Sequence, residues 1–240
     1  MILLDIFSVS GIISLVTLVL LEIVLGIDNI IFIAILCNYL PVHEQQKART
    51  IGLSLAMIFR IILLFGISFL VRMVQPIFTI GSLDVSCRDL ILFGGGVFLM
   101  YKTIREIIHK LTRPETHESH SSGKMSVMQA IIQITLIDIV FSFDSILTAV
   151  GLSRDLPVMI TAVVVSMIVM LRFSPVVSTF INRYPTIKIL ALSFLVGIGL
   201  LLVLEALHIH VEKAYIYVAL IFSLTVELLN NRWRKISNNS

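Results

Sequence analysis

Long apolar runs broken by short polar stretches dominate the chain. Crossing about 30 Å of hydrocarbon takes roughly 17 to 25 helical residues. Seven runs approach or meet that length, near residues 9–36, 51–71, 89–108, 127–151, 156–174, 187–207 and 213–231. The third is the least regular, because its uninterrupted core extends only from Leu90 to Tyr101. Lys102 and Arg105 beyond it must snorkel to the interface, where Tyr101 would join an aromatic belt. The pattern predicts an all-α polytopic membrane protein with seven transmembrane helices. Its longest polar segment, residues 112–126, is rich in Ser and charge and reads as a solvated linker. His117 and His120 within it are read as linker residues rather than as a metal site.

Two of the apolar runs carry carboxylates in matching places. Glu22-Ile-Val-Leu-Gly26-Ile-Asp28-Asn29 and Asp138-Ile-Val-Phe-Ser142-Phe-Asp144-Ser145 align without a gap, acid on acid. The match predicts an internal repeat, with helices one to three in residues 1–111 and helices four to six in 127–211. The linker 112–126 joins the two halves, and residues 212–240 add a seventh helix and a basic tail. Helix four enters from the side on which helix one leaves, so the second half is inverted relative to the first. Gly94-Gly95-Gly96 in helix three has a looser counterpart in Gly197-Ile-Gly199 of helix six. Both read first as close helix packing.

Charge sets the orientation. The loops after helices one, three and five and the C-terminal tail hold 13 Lys and Arg, the opposite loops 4, and Arg60 lies inside helix two. The positive-inside rule then places the N-terminus outside and the C-terminus in the cytoplasm. Residues 1–10 contain no Lys or Arg, so the first segment is expected to remain as a membrane helix rather than act as a cleaved signal peptide. The net charge of +3 suits an anionic lipid surface and gives no reason to invoke nucleic acid. Cys37 and Cys87 fall at opposite ends of the predicted topology, too far apart for a disulfide.

Ionisable residues inside a membrane are expensive and mark functional sites by default. Residues six apart on a straight helix are turned by about 240° and separated by about 9 Å, so Glu22 and Asp28 cannot share one face. Either they face different neighbours, or the helix is interrupted at Gly26, and helix four correspondingly at Ser142. Asp28, Asn29, Asp144 and Ser145 would then cap the new segments. Carboxylates with the Asn29 amide, the Ser145 hydroxyl and freed carbonyls make an oxygen-only ligand set, which selects hard divalent cations such as Mg²⁺, Ca²⁺ or Mn²⁺. Glu22, Asp28, Asn29, Asp138, Asp144 and Ser145 are the candidate metal-handling residues. Arg60 is expected to act as a counter-ion, paired with Asp28 or Asp144. The four acids carry more charge than one divalent ion neutralises, which favours metal/proton exchange.

These windows resemble the two signature stretches of the TerC family of bacterial integral membrane proteins. The likeness extends to Met57-Ile-Phe-Arg60, to Glu205 followed by His210, Lys213 and Tyr215, and to Glu227 with Asn230. It is nearest to the short, membrane-only members. The resemblance implies seven helices in two inverted three-helix halves, with manganese export as the activity and Glu22, Asp28, Asp138 and Asp144 as the family's acidic positions.

The function expected is efflux of a hard divalent metal, Mn²⁺ foremost, as cargo rather than as a resident cofactor. The lipid bilayer, the metal ion and protons are the expected partners. The alternative is a non-transporting membrane assembly or protein-insertion factor in which the acids are structural. No HExxH or GxSxG pattern points to an enzyme.

Overall fold

The computed structural model describes residues 9–80, 83–112, 125–152 and 155–237. Helices α1 (Val9–Leu25), α2 (Ile27–Cys37), α3 (Val42–Phe65) and α4 (Ile67–Met73) lead into a short antiparallel hairpin, β1 (Pro76–Ile80) and β2 (Leu83–Ser86). Helices α5 (Cys87–Thr112), α6 (Val127–Leu152), α7 (Leu156–Arg183), α8 (Pro185–Ala206) and α9 (Lys213–Ser237) follow. Among the described residues, 6 helical stretches are long and apolar enough to cross a membrane. The stretch expected as the third span forms α5, which is not one of them. Arg88, Asp89, Lys102, Arg105 and Glu106 interrupt its apolar character.

Several boundaries differ from the sequence reading, each for a physical reason. Helix two begins at Val42 rather than near residue 51, because Ala48 and Arg49 are buried and give the polar segment a packing face. Helix five continues through Pro175 to Arg183. Proline deletes one backbone donor, and a membrane helix can re-satisfy the freed carbonyl locally. The hairpin was not anticipated, although Thr79 Oγ1 donates to Asp84 at 2.8 Å across it. The linker histidines His117 and His120 lie outside the described residues. Cys37 and Cys87 are both free.

Of the two arrangements open for the acids, an interrupted helix or one whose acids face different neighbours, the backbone is nearer the second. Helix one pauses for one residue at Gly26, whose backbone stays near the right-handed helical region (φ −90°, ψ −5°). Its N–H reaches the Glu22 carbonyl at 2.9 Å, and its own carbonyl accepts from Ile30 at 3.1 Å. The i to i−4 pattern therefore passes through it. A Cβ here would lie 2.9 Å from the Glu22 carbonyl oxygen, which is fixed in the helix, and 2.4 Å from Met170 Sδ on α7, which is flexible and can shift. Helix four is not interrupted at all, since α6 runs unbroken past Ser142. The Ser142 hydroxyl donates to the Asp138 carbonyl one turn back at 2.5 Å, so it is satisfied within the helix.

The chain forms two compact units, and neither coincides with a half of the chain. The first contains α1 to α4, the hairpin, α6 and α7 as far as Thr179. Its main seam is α3 against α6, where Gly52 lets Ile134 approach so closely that a Cβ would sit 2.8 Å from it. Outward positions such as Ile12, Ile13, Val16 and Leu20 are apolar, as lipid-facing residues should be.

The second unit contains α5 from Asp89, α8 and α9. Here α5 and α8 meet at glycine: a Cβ on Gly96 would lie 2.7 Å from the Gly199 carbonyl, and one on Gly199 would lie 3.0 Å from the Gly96 carbonyl. Gly96→Ala is therefore expected to destabilise by about 1–3 kcal/mol, read as a lower thermal midpoint of the purified protein. Gly94→Ala is the control. Its Cβ would meet nothing within 4 Å, so it should be neutral or gain up to about 1 kcal/mol from helix propensity. Helix α8 ends with His208 in the left-handed region (φ 62°). The next N–H, of Ile209, returns to Leu204, and His208 Nε2 lies 3.2 Å from Asp89 Oδ2 at the start of α5.

Candidate functional site

Within the first unit, the polar residues of otherwise apolar helices turn inward to one place. Glu22 on α1, Asn29 on α2, Arg60 on α3 and Asp138 on α6 are each 2% exposed, and Ser142 is fully buried. Burying one of these alone would be prohibitive, so their partners decide what the cluster is.

Arg60 is the hub. Its Nε donates to Asp138 Oδ2 and its Nη2 to Asp138 Oδ1, each at 3.0 Å, forming a bidentate fork. Its Nη1 donates to Glu22 Oε2. This corrects the expectation that Arg60 pairs with Asp28 or Asp144. On a helix that stays nearly continuous through Gly26, Glu22 and Asp28 point about 120° apart, and α3 meets the Glu22 side. The residues Arg60 joins are the two that the alignment of the acidic windows makes equivalent.

Asp138 is surrounded by donors. Asn29 Nδ2 donates to its Oδ1 at 2.9 Å, and the Ser142 hydroxyl lies 3.1 Å from its Oδ2. With the two bonds from Arg60, three N–H donors meet the carboxylate, while the single Ser142 proton is committed to the Asp138 backbone carbonyl. Asn29 Oδ1, by contrast, is buried without a hydrogen-bond partner among the described residues.

The other expected site residues are placed differently. Asp28 is 3% exposed and sits in the first turn of α2. The N-cap position falls on Gly26, and Asn29 spends its amide N–H on Asp138 rather than on capping. Ser145 is buried and its hydroxyl donates to the Ser142 carbonyl at 3.3 Å, within its own helix. Asp144 belongs to α6, but its side chain lies outside the described residues. No group of three or more His, Cys, Asp and Glu stands ready to hold a metal among the described residues.

A narrow crevice reaches Glu22, lined by Leu18, Leu64, Ile146, Ala149, Met159, Ala162 and Val163. Leu18 precedes Glu22 while Ile146 and Ala149 follow Asp138, and Asn29 reaches Asp138 itself. The two acidic windows therefore run antiparallel. The direct role of Ser142 beside Asp138 was missed in the sequence, although their i, i+4 spacing on one helix face was there to be used.

Comparison with known proteins gives a consistent result. Residues 7–240 match the family described as "Integral membrane protein TerC family". A "UPF0053 protein" of Haemophilus influenzae is 48% identical over 224 residues, covering 93% of this chain and 94% of that protein. The "UPF0053 inner membrane protein YgdQ" of Escherichia coli K12 is 47% identical over 214 residues, 89% of this chain and 90% of that protein. The "UPF0053 inner membrane protein YoaE" of the same strain is 46% identical over 222 residues, 92% of this chain but only 43% of that protein. No solved structure matches.

Proposed function

The chain belongs to the TerC family of integral membrane proteins, and from that premise we propose that it is a multi-pass inner-membrane exporter of a hard divalent cation, Mn²⁺ foremost. The observation that carries this reading is the buried polar cluster joining the two acidic windows. Three of its members, Glu22, Arg60 and Asp138, sum to one formal negative charge, buried with the neutral polar groups of Asn29 and Ser142. Asp28 adds a further buried carboxyl, and Asn29 Oδ1 is an open acceptor beside the cluster. Oxygen donors with surplus negative charge suit a hard divalent ion as transported substrate. Counter-movement of protons is the coupling such surplus charge favours.

The antiparallel windows support an inverted repeat, in which substrate binds near the midplane and one half rocks against the other. Each expected half also contributes helices to both compact units. The orientation in this reading is N-terminus outside and C-terminus in the cytoplasm.

One observation favours a second reading, a non-transporting assembly factor. Asp138 already accepts three N–H donors without any ion, as the carboxylate of a purely structural ion pair would. Cells lacking the protein, challenged in parallel with Mn²⁺, Mg²⁺, Ca²⁺ and Zn²⁺, separate the two. Under the transport reading, cellular Mn²⁺ rises without the protein and falls to normal when it is restored. No change for any metal would sink that reading and leave the structural one.

A further inference from the structure

We propose that the hairpin of β1 and β2 is an interfacial anchor, lying along the bilayer surface with its apolar face in the phospholipid acyl-chain boundary and its polar face in water. This placement needs only that the long apolar helices span the bilayer, and holds whether or not the chain carries metal.

The depth of the hairpin follows from the helices that lead into it. Residues 51–71 hold a single charge, Arg60, and form about 30 Å of helix, enough to cross the hydrocarbon. Arg72 then marks the level of the headgroups. β1 begins at Pro76, one helical turn's worth of chain beyond that charge, and β2 runs directly into α5 at Cys87. The hairpin therefore starts within the interfacial zone, and either lies in it or stands up into water.

Its two faces decide between these. The register sets Phe78 opposite Val85 and Thr79 opposite Asp84. Side chains alternate along a strand, so Phe78 and Val85 share one face. Thr79 and Asp84 share the other, where the Thr79 hydroxyl donates to Asp84 at 2.8 Å. Phe78 is 44% exposed, and Ile77, which the register shift leaves without a cross-strand partner, is 57% exposed. Upright, a two-stranded ribbon that is marginal by itself would hold these side chains in water. Lying flat, it buries the Phe78 face and keeps the Thr79–Asp84 pair wet, as an amphipathic interfacial segment does.

Two further features make lipid the cover for that face. Exposed apolar side chains continue along the chain from α4 into β1, at Phe69, Val71, Val74, Ile77 and Phe78, and β1 itself carries no charge. The lipid-facing character of a membrane helix thus extends into the hairpin. In a sheet of two strands, the outer edge of β1 also has N–H and C=O groups without a strand partner. Those groups need water or headgroups, which stops the ribbon at the interface and keeps it out of the hydrocarbon.

Depth is measured on the full-length protein in proteoliposomes of phosphatidylcholine and phosphatidylglycerol. Trp233→Phe removes the single native tryptophan, and reporters are placed by Phe78→Trp on the apolar face and Thr79→Trp on the polar face. Lipids brominated high on the acyl chain quench a tryptophan at the boundary, and iodide on both sides of the bilayer quenches one in water. Phe78→Trp should lose about half of its emission or more to brominated lipid, since an interfacial segment sinks about 5–10 Å into that boundary. Iodide should quench it weakly, and Thr79→Trp should show the reverse order. Val85→Trp, on the same face from the other strand, should repeat the Phe78→Trp result, and carries the test if Phe78→Trp does not fold.

Iodide quenching of Phe78→Trp and Val85→Trp without bromine quenching would mean that the hairpin stands in water, and the proposal would be wrong. Equal bromine quenching of both faces would equally overturn it. Protection of Phe78→Trp from both quenchers would put protein over the apolar face and overturn it too, with a second copy identified as the cover if dilution of the protein in lipid removes the protection.

Discussion

Asp138→Ala is expected to cost about 3–5 kcal/mol of stability, seen as a large drop in the thermal midpoint of the purified protein. The substitution removes the acceptor of two Arg60 donors and of the Asn29 amide together, while the Ser142 hydroxyl keeps the backbone carbonyl. It leaves a buried guanidinium with Glu22 alone. Glu22→Ala should cost less, since it removes the acceptor of a single Arg60 donor. The informative comparison is the triple variant Glu22→Leu, Arg60→Met, Asp138→Leu. Replacing a whole buried ion-pair group by apolar residues of similar size is often neutral or stabilising. The triple variant should therefore be more stable than Asp138→Ala, yet carry no metal. A triple variant as unstable as Asp138→Ala would show that uncompensated charge is not the source of the penalty. One that still exports Mn²⁺ would move the transport site elsewhere.

Asp28→Asn should show the converse, a folded protein with impaired transport. The change is nearly isosteric, removes one negative charge, and leaves the bonds among Glu22, Arg60 and Asp138 untouched. If Asp28 is a cargo ligand, Mn²⁺ flux in proteoliposomes should fall on the order of 100-fold, comparable to or beyond the loss from disturbing a metal site's supporting shell. The thermal midpoint should stay close to wild type. Undiminished flux would remove Asp28 from the ion path and confine the candidate site to the residues around Arg60.

Features local to one segment can be read from the residues of that segment alone. Apolar runs of membrane-spanning length are legible because the hydrocarbon slab forces helix on any segment that crosses it. The helix starts and ends were displaced where burial reached into polar segments, as at Ala48 and Arg49, or where a helix passed through Pro175. Gly26 and Ser142 could be singled out as unusual positions, but not interpreted. Gly26 answers to the Glu22 carbonyl one turn back and to Met170 on α7, and Ser142 answers to Asp138 one turn away.

Residue order alone places carboxylates and an arginine inside the long apolar helices and makes the two acidic windows repeat. Hydrophobic length and charge type are properties of a segment, and they survive without knowledge of its neighbours. Helix packing settles that Arg60 forks onto Asp138 and reaches Glu22, that Asn29 turns its amide to the same carboxylate, and that α6 stays unbroken. Those choices depend on how each helix is rotated about its own axis, and one residue of rotation, about 100°, is enough to exchange one acid for another.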